Sequence, residues 1–229
     1  ICGIFDMEIE GQQTRWTSMY DTSNNSWDAI GPKGAGFDIV GKIMSPLAVA
    51  SDGRYVYIGG ESKTNETGGL YSAFWYWDKR RPELSWQPLQ HQGRNLLEGA
   101  VYDIEVLPNF RKNDTEGMTE EEIDELWCSD AVPDHVAAVC NDSDAAFCPP
   151  STLYIGGHFV AKNYQHVVRC AVSTVCPGHF FCCHPLSPSY PDNSVYDVFP
   201  LGEALVIGGT FTKIGELFAP GVAMWTGDE

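Results

Sequence analysis

The sequence predicts an all-β fold: a β-propeller of about four blades, each a four-stranded antiparallel sheet, with a small disulfide-stapled helical insertion. Three observations predict it. An Ile-Gly-Gly unit recurs as Ile58-Gly59-Gly60, Ile155-Gly156-Gly157 and Ile207-Gly208-Gly209, and Ile1-Cys2-Gly3 is the same unit with one glycine replaced by cysteine. Apolar residues alternate before each full copy, and an aromatic follows at near-constant distance. Gly3 to Tyr20 and Gly60 to Trp77 are 17 positions, and Gly209 to Trp225 is 16. The units are separated by 57, 97 and 52 residues, and the long interval matches the others once about 40 inserted residues are removed. A short four-stranded unit has two apolar faces that only a neighbouring unit can bury, which is the logic of stacked blades.

Blade 1 spans about 1–30. It opens on the second strand of the unit, carries Tyr20-Asp21 at the end of the third, and has Trp27 in the fourth. Blade 2 spans about 37–90, with strands at Pro46 to Ala50, at Tyr55 to Gly60, before Trp77-Asp78, and around Trp86. Blade 3 spans about 100–190, from Val101 through Val106 and the Gly156-Gly157 strand. In place of the expected aromatic it has Cys170-Ala171-Val172 and no following Trp, so disulfides are expected to replace the outer packing there. Blade 4 spans about 195–229, with strands at Val195 to Phe199 and Ala204 to Gly209, then Trp225. Each strand ending in a Gly pair marks a place where backbones approach closely. The aromatics Tyr20, Trp27, Trp77, Trp86 and Trp225 are expected to fill the seams between blades. Both ends of the sequence cut through a repeat. This favours a segment of a larger ring or tandem array over a closed four-blade ring, in which the termini would meet.

Two insertions interrupt the pattern. In 110–150, Thr119 and Glu122 form a capping box ahead of Ile123, Leu126 and Trp127 at helical spacing, and Pro133-Asp134 starts a second short helix through Val139. Cys128, Cys140 and Cys148 would staple this cap, which is too small to hold a core alone. The second insertion, 173–194, is rich in Pro, Cys and aromatics.

The eight cysteines stand at Cys2, Cys128, Cys140, Cys148, Cys170, Cys176, Cys182 and Cys183. No C-x2-C pair or matched Cys/His spacing supports zinc, so cross-linking in an oxidising compartment is the better reading. The adjacent Cys182 and Cys183 are expected to take different partners. Cys2 sits on a Gly position, either as a free buried residue or bonded to a cysteine elsewhere. Four of the nine asparagines, Asn24, Asn65, Asn113 and Asn141, lie in N-x-S/T sequons. Cysteines and sequons together predict an extracellular glycoprotein, secreted or at the cell surface. The residues preceding Ile1 are expected to be missing, because Ile1-Cys2-Gly3 reads as mid-strand.

A formal net charge of -17 argues against nucleic acid and anionic lipid as partners, and Lys79-Arg80-Arg81 before Pro82 reads as a turn. No apolar run approaches the roughly 18 residues of a membrane span. No G-x-S-x-G, H-E-x-x-H, Walker or dinucleotide motif occurs. Asp103 and Asp197 occupy equivalent places in a shared Val-Tyr-Asp. They either form a polar channel mouth or accept backbone N–H bonds that fix their blades, the second being favoured. Ser51-Asp52-Gly53 reads as a hairpin turn. The expected cofactor content is none. A weak calcium effect on the acidic surface is the one metal expectation, since Asn141-Asp142-Ser143-Asp144 lacks the rest of a calcium loop.

Paired glycines, then Tyr20-Asp21 or Trp77-Asp78, then Asn25-Ser26-Trp27, resemble kelch-type repeats and the central domain of galactose oxidase. Ile207-Gly208-Gly209-Thr210-Phe211 is more similar to the extracellular Gly-Gly-x-Phe propeller repeats of fungal cortical polarity-marker proteins and large secreted proteins. The resemblance covers nearly all of the chain outside the insertions and implies fold more than function. Rigid stacked blades that present fixed loops suit a non-enzymatic structural or protein-interaction module, contacting other subunits or further blades, with glycans as an alternative partner. The alternatives are a secreted carbohydrate-active enzyme or copper radical oxidase, or a carbohydrate-binding module. A copper radical site needs two His, two Tyr and a Cys, whereas His91, His135, His158, His166, His179 and His184 are scattered.

Overall fold

The computed structural model describes residues 2–9, 12–22, 25–29, 44–52, 55–64, 69–79, 84–91, 94–95, 97–108, 151–161, 164–172, 181–202 and 204–226. Within them the chain is all-β: every sheet is antiparallel and no helix occurs among the described residues. The expected helices at 119–127 and 133–139 lie outside the described residues.

Four meanders follow one another. The first is β1 (Cys2–Ile9), β2 (Gln12–Asp21) and β3 (Ser26–Ala29), paired in that order. The second is β4 (Met44–Ser51), β5 (Tyr55–Ser62), β6 (Phe74–Asp78) and β7 (Gln87–Pro88), followed by the small hairpin β8 (Gln90–His91) and β9 (Arg94–Asn95). The third is β10 (Glu98–Pro108), β11 (Ser151–Ala161), β12 (Tyr164–Val172) and β13 (Phe181–His184). The fourth is β14 (Val195–Leu201) and β15 (Ala204–Gly209), the hairpin β16 (Lys213–Ile214) and β17 (Leu217–Phe218), and β18 (Val222–Trp225), which pairs with β15. A single pairing, Ala100 of β10 with Glu61 near the end of β5, links the second and third meanders. Strand β13 lies inside the segment expected as an insertion. Phe181–His184 instead supplies the fourth strand of its meander, because Cys170 and Cys183 pair in register across β12 and β13.

The Gly pairs do one job three times. In each of the last three meanders the first strand carries one extra residue opposite the pair: Leu47, Tyr102 or Tyr196 interrupts the register between Pro46 and Ala48, Val101 and Asp103, or Val195 and Asp197. At that bulge the first strand closes onto the second glycine. A Cβ on Gly60 would lie 2.8 Å from the carbonyl carbon of Ser45, and one on Gly209 would lie 3.0 Å from that of Ser194. The carbonyl oxygens of Ser45, Ala100 and Ser194 stand closer still to Gly60, Gly157 and Gly209. Only a residue without a Cβ fits where two backbones come this near.

The first glycine of two of the pairs, Gly59 and Gly156, faces the next sheet. A Cβ on Gly59 would meet Val101 and Ile104 of β10, and one on Gly156 would lie 3.0 Å from Val195 and from Val198 of β14. The sheets therefore lie face to face with apolar seams between them. Ala48, Tyr55, Tyr57, Phe74 and Tyr76 of the second sheet pack with Val101, Ile104, Leu153 and Ile155 of the third. Val167 and Tyr154 of the third pack with Val195, Val198, Leu205 and Ile207 of the fourth. A separate cluster of Met44, Val56, Ile58, Trp77 and Trp86 covers the opposite face of the second sheet, where β1 lies against β4. Because successive strand residues alternate faces, one sheet serves two seams at once.

Candidate interaction surface and polar clusters

The aromatics expected at the seams divide. Trp77 and Trp86 are buried with ring centroids 6.1 Å apart. Tyr20 and Trp27 face each other across β2 and β3, rings 5.1 Å apart, and stay 41% and 38% exposed. Trp225 is half-buried under the Arg169 guanidinium, 5.7 Å from its ring centroid. The seam between the second and third sheets is filled instead by Tyr55, Tyr57, Phe74 and Tyr76, with Tyr55 and Tyr57 stacked at 6.2 Å. Burial, and secondarily the charge of Asp78, raises the Tyr76 phenol well above its ordinary range.

The Asp at the bulge is a tie between sheets. The Val198 N–H of β14 donates to Asp103 Oδ2 of β10 at 2.9 Å, and Tyr102 and Tyr196 beside it have ring centroids 5.1 Å apart. Burial raises the Asp103 carboxyl, against the lowering effect of that N–H bond, and the neighbouring Asp197 raises it further. Glu105 is raised by burial and then by Asp103 and Asp197. Asp52 plays the turn role expected of it: the Tyr55 N–H donates to one oxygen at 2.7 Å and the Tyr57 hydroxyl to the other at 2.6 Å.

Two imidazoles meet near Gly157. His158 is exposed, and its Nδ1 lies 2.8 Å from the hydroxyl of buried Ser194. His166 is buried, has φ 63, and lies 5.2 Å from the His158 ring. Burial lowers its pKa, the nearby His158 lowers it further, and a hydrogen bond to the Gly157 carbonyl works the other way. The His166 Nδ1 has no partner. Among the described residues no group of three His, Cys, Asp or Glu converges on one point.

Cys170 and Cys183 form a disulfide between β12 and β13, where the sequence lacks the aromatic of the other repeats. Cys2 and Cys182 lie on β1 and β13, while Cys128, Cys140, Cys148 and Cys176 fall outside the described residues. So do the sequon residues Asn24, Asn65, Asn113 and Asn141. The Asn141 to Asp144 stretch considered for calcium, and the Lys79-Arg80-Arg81 cluster beyond Lys79, also lie outside them. No helix among the described residues is long and apolar enough to cross a membrane.

The last sheet presents an apolar face to solvent. Phe199, Val222 and Met224 are 56%, 64% and 60% exposed, whereas Phe74 and Val167, at the place of Val222 in the earlier sheets, are 0% and 4% exposed. The class these features define is an all-β protein of successive antiparallel meanders, cross-linked by a disulfide. No family model, curated protein or solved structure matches the chain.

Proposed function

We propose that this chain is a segment of a β-propeller that works outside the cell as a non-enzymatic structural or protein-interaction module. The observation that carries the reading is the repeated seat. In two successive meanders the first glycine of a pair receives a valine from the first strand of the next sheet, so each sheet leans on its successor by the same contact. Repetition of one offset is what a radial array of blades requires. The Cys170–Cys183 bridge and the four sequons support an oxidising, glycosylating compartment. Stacked sheets hold their connecting loops rigidly, which suits a scaffold that contacts other subunits, further blades or glycans.

Two measurements test this. Treatment of protein from its natural source with an N-glycosidase lowers the mass, and no change refutes the extracellular assignment. Electron-microscopy averages display sheets arranged around a central axis, and a two-layer sandwich refutes the propeller. Stoichiometric copper together with oxidase activity on sugars would replace the non-enzymatic reading by that of a galactose-oxidase-like enzyme.

A further inference from the structure

We infer that the exposed face of β14, β15 and β18 is a docking surface for one further sheet of this same repeat, seated by a valine or isoleucine over Gly208. The inference rests on the stacked-unit reading.

Equivalent positions say what belongs there. Gly59, Gly156 and Gly208 are the same position in three meanders, each paired with a residue of the third strand: Phe74, Val167 and Val222. Gly59 and Gly156 are capped by valines of the next sheet. Around Gly208 the nearest atoms to an added Cβ are the Asp197 Cβ at 3.8 Å and the Gly221 carbonyl oxygen at 4.0 Å, both from its own sheet. Phe199, Val206 and Met224 form a row across the three strands, and Val222 lies opposite Gly208. That row is apolar and continuous; the same places hold Ala50, Tyr57 and Tyr76 in the second sheet, which lie in its seam, and half-buried Glu105, Tyr154 and Arg169 in the third.

Polar chemistry repeats as well. Asp103 of the third sheet accepts the Val198 N–H of the fourth, and Asp197 holds the position of Asp103 in the fourth sheet, on the first strand beside the bulge. The face therefore offers an open glycine seat, apolar Val222 opposite it and the carboxylate of Asp197, at the places of Gly156, Val167 and Asp103 with which the third sheet holds the fourth. An occupant matching all of them is an antiparallel sheet whose first strand has apolar residues three apart, as Val101 and Ile104 or Val195 and Val198 do. A second whole copy of the chain meets the repulsion of two bodies of formal charge -17, so a single further repeat unit is the favoured occupant.

The test compares the 229-residue chain with one extended past Glu229 by a second copy of residues 79–172, which continues the repeat in phase after Trp225. Peroxide oxidation of individual methionines, read by peptide mapping, reports the face through Met224, with buried Met44 as internal reference. Met224 oxidises fast in the 229-residue chain and at the slow rate of Met44 in the extended chain. Gly208→Val returns Met224 to the fast rate in the extended chain without lowering the melting temperature of the 229-residue chain. Fast oxidation in both chains overturns the inference, and an added copy that fails to fold counts the same way. Slow oxidation already in the 229-residue chain also overturns it, because the chain's own first sheet or a second copy then covers the face. Gly156→Val separates the two claims. If it leaves the melting temperature of the 229-residue chain unchanged, the stacked-unit reading itself fails; if it destabilises while Met224 stays reactive, only the docking inference fails.

Discussion

Two neighbouring glycines should respond to alanine with opposite signs. At Gly209 a Cβ would lie 3.0 Å from the Ser194 carbonyl carbon and 3.0 Å from the Val195 Cα, nearer again to the Ser194 oxygen, where ordinary contact begins at 3.4 Å. All three atoms are backbone, so no rotamer change relieves the clash and β14 must retreat from β15. The same Ser194 oxygen accepts the Thr210 N–H at 3.0 Å, and that bond weakens as the strands part. Overpacking of this kind costs about 1–3 kcal/mol, and the weakened hydrogen bond costs about 1 more. Replacing the flexible glycine returns about 0.5–1 kcal/mol through the unfolded chain. The net loss is about 1–3.5 kcal/mol, a fall of about 2–14 °C in melting temperature for a chain of this size.

Gly208→Ala meets nothing closer than 3.8 Å and adopts no left-handed backbone. Only the unfolded-state gain of about 0.4–1 kcal/mol remains, a rise of about 1–4 °C. Differential scanning calorimetry of the two variants beside the unsubstituted chain measures both. Equal shifts in one direction, or an unaltered melting temperature for Gly209→Ala, would refute the assignment of the second glycine to backbone contact and the first to the seam.

Three further outcomes are expected. Removing the Cys170–Cys183 bridge with a double Cys→Ala change lowers stability by about 2–3 kcal/mol, given the short loop it closes; non-reducing peptide mapping of the unsubstituted chain recovers the two cysteines in one cross-linked species. Asp103→Ala strands the Val198 N–H and costs about 1–3 kcal/mol, whereas Asp103→Asn keeps an acceptor and costs far less; chemical denaturation ranks the pair, and equal losses would refute the tie between sheets. His166 has a folded pKa below its ordinary 6.5, so the fold favours its neutral form. Its contribution is fully present above 6.5 and is lost as pH falls through that value to the folded pKa. His158, the Gly157 carbonyl and Asp192 are the polar groups that bear on it. Melting curves between about pH 8 and 5 should therefore fall less for His166→Asn, a residue that also tolerates positive φ, than for the unsubstituted chain. Parallel curves would refute it.

The strand plan was legible because it depends on short-range pattern. Alternating apolar residues ending at Ile58-Gly59-Gly60, Ile155-Gly156-Gly157 and Ile207-Gly208-Gly209 mark β5, β11 and β15, and the strands placed before them coincide with β4, β10 and β14. Asp52 was legible for the same reason, since an Asp before Gly at a hairpin end contacts its own local backbone. Long-range features were harder to read. The division of each Gly pair into one backbone contact and one seam contact depends on the bulges at Leu47, Tyr102 and Tyr196, and a bulge leaves no compositional mark. Of the aromatics expected at the seams, Trp77 and Trp86 are buried, whereas Tyr20 and Trp27 remain half in solvent. The fillers Tyr55, Tyr57, Phe74 and Tyr76 announce themselves only through alternation on strands adjacent to the glycines. His166 gave no local signal at all, because its burial follows from β12 lying beside β11 and the sheet that packs on it.

The register Pro108↔Ser151 closes the mouth of the β10–β11 hairpin on both sides of the roughly 40 intervening residues. The matching link between β4 and β5 is only a tight turn at Asp52. Loop-closure entropy rises only with the logarithm of length, so an excursion this long adds roughly 2 kcal/mol over a tight turn. The scaffold thus has a grafting point. A stretch of unrelated sequence placed between these two paired ends is expected to cost the sheet little stability.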